Sequence, residues 1–456
     1  MSLHNTSTRV TAVTGRASNG SASRGFSLIE LMVAMALGLV LSIGVVSLFG
    51  STSMSNKVQN SLARLQENGR YAVARMESDL RMQIGQYCST TMGESRLADL
   101  TTPTWVPRSP MVYAASMPLP DSGKALSIDA GNSLSTTAAS APFPFTTRWY
   151  LQGYECTGGS CTPSVPTTDF TTAIPATGLT VGARVPNTDV LTVRYQRGSG
   201  WPVTGFTCSA GGGSITLSPQ TGDDSLATSS PHSFSAGNLV LVSDCANPMV
   251  LPITSASGSS LSVGSLLAPA PTCALDPTRD TRAFNLTRDF VTVTYYLRFE
   301  RDDNPDAPRN SAAAQRLVPS LVRRENGVDQ VLVQGVDRLD FLYAVQDGSA
   351  QQLRYLTAAQ VQGRNGGAIA CPPPVNTVPG CLWAAVRSVE VHLLVNSIDY
   401  VGGLDPDSSS FTYSLDATPR TVVTAPTTLI PGSGLQAGRM MRREFVSLVA
   451  VRNNNP

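Results

Sequence analysis

"RGFSLIELMVAMALGLVLSI", residues 24 to 43, is an apolar run broken by one carboxylate, Glu30. A charged side chain costs roughly 2.5 to 3.5 kcal/mol at the centre of a membrane helix and less toward its ends, so Glu30 is a functional-site candidate from the outset. From Leu31 to Gly50 the chain runs 20 residues without a charge. As a helix that stretch is about 30 Å long, the thickness of a bilayer's hydrocarbon core. The 25 residues up to Gly25 carry Arg9, Arg16 and Arg24 and no Asp or Glu. A basic flank stays on the cytoplasmic side, so the expected topology is a single pass, N-in and C-out.

A secretory signal peptide cut after the apolar run is the competing reading. Small residues do follow, in "GSTSMS" (50 to 55). Signal h-regions, however, run only about 7 to 15 residues, and this one is longer and holds an acid. Beyond it Met54, Val58, Leu62, Leu65, Val73, Met76, Leu80, Ile84 and Tyr87 recur at helical spacing, with Gly69 on the same stripe. Glu67 with Arg70 and Glu77 with Arg81 stand three and four residues apart. One nearly continuous helix over 26 to 87 is expected, its first half (26 to 53) in lipid and its second (54 to 87) amphipathic.

The 456 residues are 41% hydrophobic and only 14% charged, with a net charge of +1. That leaves room for a sizeable core and no strong field to gather nucleic acid or acidic substrates. Thirty-one of the 33 basic residues are Arg, leaving Lys57 and Lys124. The eight cysteines, Cys88, Cys156, Cys161, Cys208, Cys245, Cys273, Cys371 and Cys381, all follow the apolar run. An even number beyond a membrane segment suits an oxidising compartment. Cys156 with Cys161 ("CTGGSC") and Cys371 with Cys381 ("CPPPVNTVPGC") are local pairs separated by turn formers, and both are expected as disulfides; the rest have no readable connectivity.

"GFSLIELMVAMALG" resembles the leader-cleavage signal of type IV prepilins and type II secretion pseudopilins, in which a basic leader, a Gly, a Phe and a Glu four residues after that Phe coincide at the edge of a span. The resemblance implies removal of a leader, residues 1 to 25, by a prepilin peptidase that cuts between Gly25 and Phe26, and N-methylation of Phe26. It also implies a role for Glu30. The new α-amino group of Phe26 is at least partly protonated near neutral pH, and Glu30 of one subunit can meet that amine on a neighbour, neutralising two charges costly in lipid.

Past Cys88 the texture changes. Residues 89 to 185 and 199 to 235 are rich in Ser, Thr, Gly and Pro and read as loops and short strands. Clearer strands are expected at 189 to 196, 238 to 244, 289 to 300, 320 to 325, 328 to 346 with a bend at Gly335, and 386 to 395. A long helix followed by these strands gives an α+β fold, with a mostly antiparallel sheet packed on the amphipathic half of the helix. The globular domain spans 88 to 456, with 89 to 288 as a loop-rich β insertion and 289 to 456 as the main sheet.

The order "SLVRRENGVDQVLVQGVDRLDFLYAV", "VRSVEVHLLV" and "RMMRREFVSLVAVRNN" in the C-terminal half resembles PilW-type minor pilins. What this resemblance implies is a structural, non-enzymatic pilin that helps initiate a type IV pilus at or near its tip. Adhesion, twitching motility and DNA uptake are the implied functions. The implied partners are other minor pilins, the major pilin and a large tip adhesin. The location is the inner membrane and then the pilus at the cell surface. A minor pseudopilin of a type II secretion system shares the plan and stays open, as does a membrane-anchored periplasmic binding or adhesion domain.

Other constellations are weak. Asp302, Asp303, Asn304 and Asp306 gather oxygens in "ERDDNPDAPRN" but lack the spacing and terminal Glu of a calcium loop. The only histidines are His4, His232 and His392, with no CxxC, so no metal and no cofactor is expected. "SAGGGSIT" has no GK[ST], and no GxSxG occurs. No small-molecule substrate is expected. Arg323, Arg324, Arg439, Arg442 and Arg443 read as strand-edge ion-pair formers with Glu325 or Glu444 in preference to a nucleic-acid patch.

Overall fold

The structure is a computed structural model. It describes residues 25–82, 94–96, 105–107, 110–115, 117–118, 125–128, 134–135, 138–145, 150–165, 174–218, 234–244, 248–268, 280–301, 317–347, 352–371, 381–399, 410–415, 422–424 and 440–451. Two compact units divide between Lys57 and Val58.

A single α-helix runs over Leu28–Met82. It contains no proline and is preceded by Ser27, whose carbonyl accepts from the backbone of Glu30 and Leu31. In the first unit every described residue, 25 to 57, is exposed. The helix there is apolar all round, with Leu37, Leu39, Val40 and Leu41 more than 60% exposed. A surface of that kind calls for lipid or other apolar helices around it.

In the second unit the helix becomes amphipathic and buries one stripe. Leu65, Gly69, Ala72, Met76, Asp79 and Leu80 are its buried residues, at the three- and four-residue steps of a helix face. Leu65, Ala72, Met76 and Leu80 join a core shared with two antiparallel sheets. The larger sheet has six strands in the order Val328–Gln334, Leu317–Glu325, Phe290–Arg301, Val190–Gln196, Leu151–Thr157 and Ser160–Thr162. The smaller has four, in the order Leu353–Leu356, Val336–Gln346, Val386–Asn396 and Arg442–Ala450. Residues on both sides of position 288 hydrogen-bond directly, since Val190–Gln196 pairs with Phe290–Arg301.

The bend expected at Gly335 is a break between sheets. Its φ of +80° belongs to the left-handed region, where glycine carries no steric cost. Its N–H donates to Pro319 of the six-stranded sheet at 2.8 Å, and its carbonyl accepts from Asn396 of the four-stranded sheet at 2.7 Å. An added Cβ would stand 2.7 Å from Asn396 Oδ1.

Six described strands between residues 201 and 285 close into a barrel. Its order is Leu239–Ser243, Arg282–Asn285, Trp201–Ser209, Gly212–Leu217, Ser260–Val263 and Met249–Ser257, and the last pairs back with the first. Closure removes the barrel's edges. Trp201, Val203, Ile215, Val240, Val242, Leu251, Ile253 and Leu261 fill its own core. Leu239 and Leu241, alternating with Val240 and Val242, face the main core instead. The stretch read as loops and short strands between 199 and 235 therefore contains a nine-residue strand, Trp201–Ser209, and its hairpin partner.

Candidate functional site

The residues singled out at the N-terminus fall in the first unit. Gly25 and Phe26 lie just ahead of the helix, and Phe26 is 83% exposed. Glu30 occupies the first helical turn, three residues after Ser27. A serine before a helix and a glutamate three residues on have the spacing of a capping box, and an acid there also favours the helix dipole. Leader residues 1 to 24 lie outside the described residues.

The second unit holds the seam by which the helix is fastened to the domain. At its centre is Asp79, 2% exposed on the buried stripe. Arg323 Nε donates to Asp79 Oδ2 at 2.6 Å and Nη2 to Oδ1 at 3.3 Å. Tyr295 Oη donates to Oδ2 at 2.5 Å and Tyr195 Oη to Oδ1 at 3.1 Å. Arg323 continues to Glu325 at 2.5 Å, and Arg197 closes the chain on Glu325 at 2.8 Å. A buried ion pair repays desolvation only when its remaining donors and acceptors are satisfied, as they are here.

The charge states follow. Burial opposes the charge of Arg323, but hydrogen bonds to Asp79 and Glu325 overcome it and raise its pKa. Burial would raise Glu325, yet the hydrogen bonds from Arg197 and Arg323 prevail and hold it below its ordinary value. Burial, then the Asp79 charge, raise Tyr195 and Tyr295, which remain neutral donors.

Toward the N-terminal end of the seam, Gly69 admits the ring of Phe445, which would lie 2.2 Å from an added Cβ. Ser447 Oγ donates to Glu77, which also pairs with Arg81 at 3.1 Å. Phe445 and Ser447 belong to the strand Arg442–Ala450. That strand is tied in turn by Arg442, whose Nε meets Asp337 at 2.8 Å with both side chains at most 2% exposed.

The arginines grouped by sequence are thus distributed. Arg323 pairs with Asp79 and Glu325, Arg324 with Asp329 at 3.0 Å, and Arg442 with Asp337. Arg439 and the acids at 302, 303 and 306 lie outside the described residues, as do His4 and His232. Among the described residues Glu444 pairs with His392, 3.0 Å from Nδ1, and not with an arginine. Ser414 Oγ lies 3.0 Å from the same Nδ1 and 2.5 Å from Glu444 Oε1. Glu390 Oε1 stands 3.3 Å from the opposite ring nitrogen, Nε2, so His392 lies between two carboxylates, and the cluster ties Ser414 to the strand that carries Glu444.

Cys156 and Cys161 form a disulfide at the hairpin between Leu151–Thr157 and Ser160–Thr162. Cys208 and Cys371 are disulfide-bonded as well. The side chain of Cys381, and Cys88, Cys245 and Cys273, lie outside the described residues. Among the described residues no group of His, Cys, Asp and Glu could hold a metal ion.

Sequence reasoning missed Asp79. The signal available was an acid lying inside the apolar stripe, next to Leu80.

Two family matches, to an N-terminal methylation motif and to a pilus-assembly protein, support a type IV pilus-related, pilin-like protein. Residues 20–46 match the family model described as the prokaryotic N-terminal methylation motif. Residues 308–453, roughly a third of the chain, match that of PilW, the type IV pilus-assembly protein W. No curated protein and no solved structure matches the chain.

Proposed function

We propose that this protein is a minor pilin of a type IV pilus, a structural subunit without catalytic activity that helps initiate assembly and sits at or near the tip. A prepilin peptidase cuts between Gly25 and Phe26, Phe26 is N-methylated, and the chain waits in the inner membrane, N-in and C-out, until it enters the filament. The carrying observation is one helix with two environments: its first unit bare and apolar under a leader motif, its second fastened to the domain through Asp79. A subunit of that build offers its apolar segment to neighbouring helices while the globular domain stays folded.

Glu30 then meets the Phe26 amine of the next subunit, setting axial register. Its partners are other minor pilins, the major pilin and a large tip adhesin, and the outcome is adhesion, twitching motility and DNA uptake. The PilW match supports the pilus over a type II secretion pseudopilin. Deleting the gene tests this. The reading expects loss of surface pili with exoprotein release intact, and the reverse pattern would assign the chain to secretion.

A further inference from the structure

Beside the Cys156–Cys161 hairpin lies a cavity of about 430 Å³ lined by Cys161, Ser164, Val165, Ile174, Pro175 and Arg184, among others. That volume lies in the range of small-molecule pockets. Its rim is open, with Gly159, Ser160, Ser164 and Ala176 exposed. Its wall holds a buried guanidinium, since Arg184 is only 4% exposed.

Arg184 is poorly satisfied for a buried cation. Its five N–H donors make two hydrogen bonds, both to uncharged acceptors: a long one from Nη1 to the Thr188 carbonyl at 3.4 Å, and one from Nη2 to Cys161 Sγ at 3.3 Å. No carboxylate among the described residues forms an ion pair with it. Asp189 is the acid whose charge it senses. Both Asp189 oxygens, however, accept from backbone, Cys156 at 3.0 Å and Phe341 at 3.2 Å. The buried guanidinium groups of Arg323 and Arg442, by contrast, each meet a carboxylate directly. A charge left in low dielectric without a partner is costly, and an anion supplied from outside relieves it.

We propose that this cavity binds an organic carboxylate, whose anion meets the Arg184 guanidinium and whose short apolar body lies against Val165, Ile174 and Pro175. One guanidinium matches one negative charge. A phosphate dianion would leave a second charge against apolar walls, and a neutral ligand would leave Arg184 as it is. The carboxylate is carried either by a small free acid or by the C-terminus of a peptide ending in an apolar residue.

The test is calorimetric titration of the full-length protein in a non-ionic detergent with 4-methylpentanoate and with an acetylated peptide ending Ala-Ala-Leu, each beside its amide. The account expects saturable binding of at least one acid, at least about tenfold tighter than its amide, as loss of a charge-assisted hydrogen bond implies. The acid that binds identifies the source. Arg184→Met should abolish the difference. Should that variant fail to fold, Ala176→Trp, which fills the mouth and leaves the guanidinium in place, should block both acids. Equal binding of acid and amide, retained binding in both variants, or no saturable binding of either acid overturns the proposal.

Discussion

The carboxylate of Asp79 and the guanidinium of Arg323, 244 positions apart in the chain, meet at 2.6 Å and 3.3 Å inside the seam between helix and sheet. Removing one partner of such a buried pair strands the other, which costs about 3 to 5 kcal/mol, whereas replacing both by apolar groups is often neutral. Asp79→Leu should therefore lose that much in urea denaturation of the full chain. Asp79→Leu combined with Arg323→Met should recover most of it. A single variant within 1 kcal/mol of wild type, on the order of a surface pair, would contradict the seam's role.

Gly69 makes a prediction whose sign decides it. At an open helical site glycine to alanine stabilises by roughly 0.5 to 1 kcal/mol. Here the Phe445 ring occupies the place of the Cβ, and overpacking costs about 1 to 3 kcal/mol. Gly69→Ala should lower the melting temperature, and adding Phe445→Leu should restore part of it. A rise in the single variant would mean that the ring does not sit there.

Acid stability should depend on Glu444. Burial would raise its pKa, but hydrogen bonds from His392 and Ser414 outweigh that and hold it below its ordinary 4.5. A depressed folded-state pKa adds stability that is complete above 4.5 and is lost as pH falls below it through the folded value. Between neutral pH and about 5 the unfolding free energy should be nearly flat in this respect, then decline. Glu444→Gln should shallow that decline, and an unchanged acid slope would remove Glu444 from the account.

Glu30→Ala separates processing from assembly. Because the carboxylate acts between subunits in the proposal, the variant should be cleaved at a rate close to wild type and yet be depleted from sheared filaments by an order of magnitude. That depletion is the scale of about 1.4 kcal/mol or more per contact. Immunoblots of membrane and filament fractions read both, and normal incorporation sinks the proposed pairing.

The parts of this fold with strong strand or helix patterns were legible in the sequence. Phe290–Arg301 and Val386–Asn396 are long and rich in β-branched or aromatic residues, and the helix declares itself by its stripe. Gly335 was readable as a bend but not as a change of sheet, because nothing local says that Pro319 and Asn396 stand on either side of it. The barrel was hidden by composition. Thr204, Thr207, Ser255, Ser260 and Ser262 face outward between its core residues, while Pro202 and Gly205 interrupt the pattern. Asp79 was obscured for a related reason: on an amphipathic helix an acid reads as solvent-facing until a partner far away in sequence is known. Glu77 with Arg81 behaved as spacing alone foretold.

The central claim is that Phe26 becomes the first residue of a filament subunit. Mass spectrometry of the chain recovered from sheared surface filaments tests it most directly. The account predicts an N-terminal peptide beginning at N-methylated Phe26, with residues 27 to 50 intact behind it. A chain starting at Met1, a cut beyond Gly50, or absence from the filaments while the protein accumulates in the membrane would contradict it.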